Sequence, residues 1–209
     1  GGILEDPWKS PEESMWLRTK SIEKSANKAD ILELEFKNGD IVKINKKILS
    51  PCKVLGKLNQ LAGKHGIGRI DIVENRYVGI KSRGCYETPG GTIYHKAHKA
   101  MESITMDREL LHLKEDLANR YTRLIYNGYW FSPERESLQK LINDSQKRVT
   151  GTVKIKILKG NVMVLGRKSP YSLYSEDLST FETDSGDYDQ RDAEGFIKVN
   201  SLRLRNKQK

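Results

Sequence analysis

Residues 63–92 concentrate side chains that bind small charged molecules. Glycines recur at short intervals in this stretch, and carboxylates, guanidinium groups and a phenol stand among them. Glycine lets the backbone approach a partner closely or adopt a positive φ. Glu74, Arg76, Arg83 and Tyr86 offer the charges and hydrogen bonds that a zwitterion needs. The stretch therefore predicts a site for a small polar ligand.

Glu74 is the strongest binding candidate, because it follows a run of strand-like apolar positions and can pair with the α-ammonium of an amino acid. Tyr86, twelve residues on, supplies a hydroxyl. The alternative is that Glu74 forms a structural salt bridge with Arg76 or Arg83. The two arginines in turn form either an anion clamp for phosphate or carboxylate, or contacts with acidic groups of the protein itself or with the other half of the site. The residues alone leave both alternatives open.

Other reactive side chains are not in patterns that indicate chemistry. His95 and His98 are one helical turn apart but lack a third ligand, so a surface or interface role is favoured over a metal site. Cys85 precedes Tyr86 without a base paired to it, which favours a bystander thiol. We predict no catalytic residue and no metal site in this chain.

The residues from Gly63 to Thr92 resemble the argininosuccinate synthase family, and the resemblance continues along nearly the whole chain. It is similar in the segments 105–109, 128–130, 132–134, 145–146, 166–167, 169–174 and 195–197. The resemblance implies an ATP-dependent carbon–nitrogen ligase that joins citrulline to aspartate, releasing AMP and pyrophosphate, in cytoplasmic arginine biosynthesis. It implies that Glu74 and Tyr86 bind citrulline, that ATP and magnesium are required, and that the enzyme is a homo-oligomer, a tetramer.

One departure from the family pattern sets the expected domain organisation. Family members open with a nucleotide-binding domain whose Ser-Gly-Gly-Leu-Asp-like loop holds ATP, and this sequence has no such loop. We therefore expect residues 1–29 to be an irregular connector from a missing N-terminal domain, anchored by Trp8 and Trp16. Residues 30–200 are expected to form the C-terminal synthetase and multimerisation domain, and 201–209 a short basic tail. Without the domain that binds most of ATP and magnesium, the isolated chain is expected to be inactive.

The composition argues against a nucleic-acid partner and against a membrane partner. The net charge of +9 makes nucleic acid a candidate, but the basic residues are spread and accompany no zinc finger, RRM signature or basic-aromatic platform. Two cysteines are too few for a disulfide scaffold and fit a reducing compartment. No stretch of about 18 apolar residues is present. The rival functions are a non-catalytic oligomerisation or interaction module and, with less support, a basic nucleic-acid-binding domain.

The periodicity of apolar residues predicts an α+β fold, an antiparallel sheet built from hairpins with helices packed on one side. Alternating residues around Asn-Gly at 38–39 and around Lys-Gly at 159–160 predict two hairpins. Strands are also expected at 70–73 and 78–80.

Five helical stretches are predicted, four of them from spacing and caps. Residues 51–62 place leucines 55, 58 and 61 on one face, ending at Gly63. A helical region is predicted to begin at 90–92. Within it, a long helix capped by Thr105 or Asp107 runs to about 127 and has an apolar stripe that faces the core. Ser132-Pro133 begins another helix, which runs to about 149. Residues 172–181 are a weaker helical candidate, with the acidic run to 192 as loop.

Overall fold

The computed structural model describes residues 2–175 and 190–205, which fall into two compact units divided between Ser172 and Leu173. The strands are β1 (Asp30–Lys37), β2 (Asp40–Ile44), β3 (Lys47–Ile48), β4 (Arg69–Asn75), β5 (Lys81–Glu87), β6 (Gly151–Leu158) and β7 (Asn161–Lys168). The α-helices are α1 (Pro51–Lys64), α2 (Pro89–Thr105), α3 (Arg108–Tyr126), α4 (Pro133–Ser145) and α5 (Gln190–Arg205). Short 3₁₀ turns occupy Gly2–Glu5 and Glu13–Met15.

Five strands form one antiparallel sheet in the order β3-β2-β1-β6-β7. Both predicted hairpins are confirmed, and the pairing of β1 with β6 joins them. Type I′ turns need positive φ at both central residues. Asn38 and Gly39 have φ of 50° and 89°, and Lys159 and Gly160 have 43° and 76°. The predicted α+β class is therefore confirmed, with helices α1 and α2 contacting the sheet.

The two faces of this sheet differ because successive strand residues point to opposite sides. Leu32, Leu34 and Phe36 of β1 are buried, as are Ile155 and Ile157 of β6, in one core with residues of α1 and α2. The intervening positions carry ion pairs across neighbouring strands, with Glu33 bound by Lys154 and Glu35 bound by Lys43. The charged side accounts for part of the high charged fraction of the chain.

Helix α1 corrects the predicted leucine face. Its fully buried apolar side chains are Val54, Leu58 and Ala62, four residues apart, while Leu55 is 46% exposed. Four-residue spacing follows a helical stripe more closely than repeated threes. Gly63 lies inside the helix rather than ending it.

Helix α3 begins as predicted and ends one residue early. Asp107 is its N-cap and accepts hydrogen bonds from the backbone of the first turn. The predicted core role of its apolar stripe is wrong in degree, since no residue of α3 is fully buried. Leu110 and Leu111 touch the main core, whereas farther along Tyr121 donates a hydrogen bond to Gln139 of α4. Helices α3 and α4 thus pack mainly on each other.

Helix α4 ends at Ser145, four residues before the predicted end at 149. The backbone N–H of Val149 donates to the carbonyl of Gln146, so a turn redirects the chain into β6. The other predicted opening, near residue 90, is confirmed, because α2 begins at Pro89 with Thr88 as its N-cap.

Strands β4 and β5 form a separate two-stranded ribbon. The predicted strand at 78–80 is wrong, because these residues lie in the connecting turn. Gly79 has φ of 87° and donates from its N–H to the carbonyl of Arg76, and the Arg76 N–H donates to the carbonyl of Ile80. The second strand therefore begins only at Lys81.

The second unit is described through residues 173–175 and helix α5. Residues 172–175 are not helical, and the rest of the predicted helix at 172–181 lies outside the described residues, as does the acidic run up to 189. The loop predicted to continue to 192 is wrong for residues 190–192, which form the first turn of α5. Helix α5 passes through position 201, so the basic tail expected there begins as helix. Among the described helices, none has the length and apolar character needed to span a membrane.

Candidate functional site

The β4–β5 ribbon brings the two strongest candidate residues together. Strand alternation places Glu74 and Tyr86 on the same face of the ribbon, although Glu74 is paired with Ser82 and Tyr86 with Ile70. The two backbone positions are thus four residues apart, about 13 Å along the strand. The Tyr86 hydroxyl nevertheless donates a hydrogen bond to Glu74 Oε1 at 3.2 Å. The phenol must therefore extend along the ribbon towards the carboxylate.

The Glu74 carboxylate is largely shielded while its partners remain accessible. Its side chain is 13% exposed, and Tyr86 is 43% exposed. The hydrogen bond to Glu74, then removal from water and the carboxylate charge, raise the pKa of the Tyr86 phenol. Tyr86 therefore remains a hydrogen-bond donor at neutral pH. A shielded carboxylate with a fixed donor is suited to bind a cationic group, since charges interact more strongly out of water.

Tyr126, at the end of α3, is a third member of this cluster. Partial removal from water, then the negative charge of Glu74, raise the pKa of the Tyr126 phenol. Sequence reasoning missed this residue, because it lies 40 positions beyond Tyr86 on a different element and no spacing rule links them. Tyr77 and Tyr129 make a similar contact between the ribbon turn and the chain after α3, with their hydroxyl oxygens 3.1 Å apart.

Arg76 lies beside Glu74 but does not engage it closely. Its Nε is 3.5 Å from Glu74 Oε1, its Nη2 donates to the Ser82 hydroxyl at 3.4 Å, and its side chain is 53% exposed. The structural salt bridge considered from sequence is therefore present, in a loose and solvated form that contributes little on its own.

Arg83 is not part of an anion clamp with Arg76. It lies on the opposite face of the ribbon, where Nε and Nη2 bind both carboxylate oxygens of Asp71 at 2.9 and 2.6 Å. Its Nη1 donates to the backbone carbonyls of Asp6 and Lys9. The Arg83 side chain is only 9% exposed, and it binds the N-terminal segment to the ribbon. The alternative that these cations bind the protein's own acidic groups is correct for Arg83.

The same opposite face holds the predicted connector against the ribbon. Glu87 accepts hydrogen bonds from the backbone N–H groups of Leu17, Arg18 and Thr19 and from the Thr19 hydroxyl. Burial alone would raise the pKa of Glu87, but these hydrogen bonds outweigh it and lower the pKa. Glu87 was not singled out from sequence, since nothing in the sequence distinguishes it from the other acidic residues.

The tryptophans expected to anchor the connector behave differently from each other. The Arg69 guanidinium lies over the Trp16 ring, with the Arg69 Cζ atom 4.9 Å from the centroid of that ring. Arg69 also binds both carboxylate oxygens of Glu13. Trp8 is 95% exposed and anchors nothing here. The anchoring expectation is therefore wrong for Trp8.

The histidines and Cys85 show structural environments. His98, expected in a surface or interface role, is mostly buried, and its Nε2 lies 2.7 Å from Gln146 Oε1. Burial lowers the pKa of His98. Within residues 2–175 and 190–205, no three His, Cys, Asp or Glu side chains cluster where a metal ion could bind. Burial, then the charge of Asp71, raise the pKa of the Cys85 thiol, which disfavours the thiolate.

Comparison with known proteins extends over nearly the whole chain. A model of the arginosuccinate synthase C-terminal domain matches residues 1–207. The chain is 64% identical over 206 residues to a protein named argininosuccinate synthase from Nitrosococcus oceani, and 62% identical over 204 residues to one from Psychrobacter sp. PRwf-1. Each match covers 98% of this chain but only 51% and 50% of the relative, so the chain spans about half the length of these proteins.

Proposed function

The chain belongs to the argininosuccinate synthase family, and from this we propose that it serves as the C-terminal half of a ligase that joins citrulline to aspartate. In the proposed reaction, the ureido oxygen of citrulline attacks the α-phosphorus of ATP and pyrophosphate leaves. The aspartate amine then attacks the activated carbon and AMP leaves, giving argininosuccinate.

The observation that supports a role for this chain is the contact of Glu74 with Tyr86 on the exposed face of the ribbon. We assign the Glu74 carboxylate to the α-ammonium of citrulline, because a shielded carboxylate is the complement of an ammonium group. Tyr86 orients the carboxylate and adds a hydroxyl to the pocket. Neither residue transfers a proton in this proposal; both fix the substrate so that its ureido group faces the nucleotide.

ATP, aspartate and magnesium are assigned mainly to sites outside these 209 residues, because the sequence lacks the phosphate-binding loop. We therefore propose that the chain alone forms no argininosuccinate, and that the full-length enzyme works in the cytoplasm in arginine biosynthesis. We also propose a homo-oligomer, a tetramer, which the exposed apolar side chains of α5 at Phe196, Ile197 and Val199 support.

The assignment of Glu74 is tested in a full-length synthase that carries this chain as its C-terminal half. Glu74→Gln should raise the KM for citrulline about ten-fold or more, since a hydrogen bond to a charged group contributes about 1.5–3 kcal/mol, while the KM for ATP stays within about two-fold. Glu115→Gln, which alters an exposed acid paired with Lys99, is the matched control. An unchanged citrulline KM in the Glu74 variant would refute the assignment.

The two rival functions make different demands. A nucleic-acid binder would lose affinity steeply with salt, because each phosphate contact releases counterions. A purely oligomeric module would tolerate Glu74→Gln without any change in citrulline KM, so the same kinetic test separates it from the ligase.

A further inference from the structure

Gly84 lies at the centre of the ribbon face that carries Glu74 and Tyr86. Its cross-strand partner is Ile72, and it sits between Ser82 and Tyr86 on that face of β5. A Cβ added at Gly84 would lie 2.7 Å from three atoms of Tyr86, namely Cε2, Cζ and the hydroxyl oxygen. The far end of the Tyr86 ring therefore lies directly over the Gly84 backbone.

The backbone itself does not require glycine at this position. Gly68 and Gly79 have φ of 98° and 87°, which other residues rarely adopt, but Gly84 is outside that positive region. The three nearest atoms that a Cβ would meet at Gly84 all belong to Tyr86. Glycine in a strand weakens it and often marks a close approach by another group. Here the approaching group is the phenol.

We propose that Gly84 is a positioning residue of the citrulline site: its missing side chain leaves the groove in which the Tyr86 ring lies, and this groove directs the hydroxyl to Glu74. The inference rests on the function proposed above. A methyl group at position 84 would occupy the space of the ring end and turn the phenol away. Glu74 would then lose its 3.2 Å donor.

Gly84→Ala in the full-length synthase is a mild change to the fold, because the clash is with the movable end of one side chain. We expect the citrulline KM to rise about ten-fold, because Glu74 would no longer be oriented and the Tyr86 hydroxyl would no longer face the substrate, with the KM for ATP and aspartate within about two-fold. Gly166→Ala is the control, since this β7 glycine also avoids positive φ and has nothing within 4 Å of an added Cβ. The control should leave all three constants unchanged.

A second variant isolates the contact with Tyr86. In a Tyr86→Ala background the ring is gone, so adding Gly84→Ala should change the citrulline KM no further. If Gly84→Ala alone fails to fold, the melting temperatures of Gly84→Ala and of the double variant with Tyr86→Ala are compared instead. Tyr86→Ala should restore folding only if the Tyr86 ring is the group that the new methyl contacts.

The outcomes separate the two ideas. If Glu74→Gln raises the citrulline KM but Gly84→Ala does not, the positioning role is wrong and the proposed function stands. Equal effects of Gly84→Ala with and without the Tyr86 ring also contradict the positioning role. If Glu74→Gln itself has no effect, the proposed citrulline site fails and the inference falls with it.

Discussion

At the scale of single residues, the protonation of Tyr86 reports the contact that defines the site. The protonated phenol donates to Glu74, and a phenolate there would face a second negative charge. Both effects raise the pKa of Tyr86. The stabilisation of the folded state by this group is therefore present below the ordinary tyrosine pKa of about 10 and is lost as pH rises through the raised value.

The corresponding prediction is a change in tyrosine titration. Glu74→Gln should bring the pKa of Tyr86 back towards its ordinary value, because the anionic acceptor becomes neutral. Nuclear magnetic resonance of ¹³C-labelled tyrosine measures the titration, and Tyr86→Phe identifies the signal. The same midpoint in the wild type and the Glu74 variant would show that the contact is not formed in solution.

The sequence indicates that Glu74 and Tyr86 act together, but it does not show which residues share a face of the ribbon. The twelve-residue interval between Glu74 and Tyr86 fits a hairpin, yet a turn misplaced by one residue exchanges the two faces of a strand. Because residues 78–80 have the pattern of a strand although they lie in the turn, the sequence does not show that Arg76 and Arg83 lie on different faces. The pairing of Arg83 with Val73 sends its side chain to the other face, towards Asp71.

At the scale of elements, close backbone packing decides what α1 tolerates. A Cβ at Gly63 would lie 2.2 Å from the carbonyl oxygen of Arg18, in the connector held by Glu87. Gly56, in the same helix, is exposed and has nothing within 4 Å of such an atom. The two glycines look alike in sequence, but only one of them is in contact with a second segment of backbone.

The two glycines should therefore respond to alanine with opposite signs. Gly63→Ala should lower the free energy of unfolding by about 1–3 kcal/mol, the usual cost of overpacking, and should loosen the connector. Gly56→Ala should raise it by up to about 1 kcal/mol, because alanine is the better helix former. Urea denaturation of both variants measures the difference, and destabilisation by both, to the same extent, would show that contact with the connector is not the cause.

Periodicity and caps in the sequence predicted where helices and hairpins form. They did not predict how deeply the side chains of these elements are buried. The cap at Asp107 and the turns at 38–39 and 159–160 are local features, and each was found where local rules placed it. How deeply the α3 stripe is buried depends on α4 and the sheet, which local rules do not describe. The same limit hid Tyr126, whose role arises only when α3 ends beside the ribbon.

At the scale of the whole molecule, the chain presents half of the proposed active site. The ribbon face holds a carboxylate and phenols suited to an amino acid, while the chain matches about half the length of its relatives. Chemistry by adenylate formation needs the nucleotide and citrulline to meet, so the proposed site spans both halves.

The isolated chain should therefore be folded and inactive. Circular dichroism of the 209 residues should show the helices and strands described above, while incubation with citrulline, aspartate and ATP should yield no argininosuccinate. A full-length synthase carrying the same residues is the positive control. Product formation by the folded chain alone would overturn the division of the site between two halves.

The central claim, that Glu74 binds the α-ammonium of citrulline, is tested most directly by removing either partner. Two constants are measured in the full-length wild type and in Glu74→Gln. They are the KM of citrulline and the inhibition constant of its desamino analogue, 5-ureidopentanoic acid. We predict that the wild type prefers citrulline over the analogue by about ten-fold or more and that the variant loses most of this preference. An undiminished preference in Glu74→Gln would contradict the account.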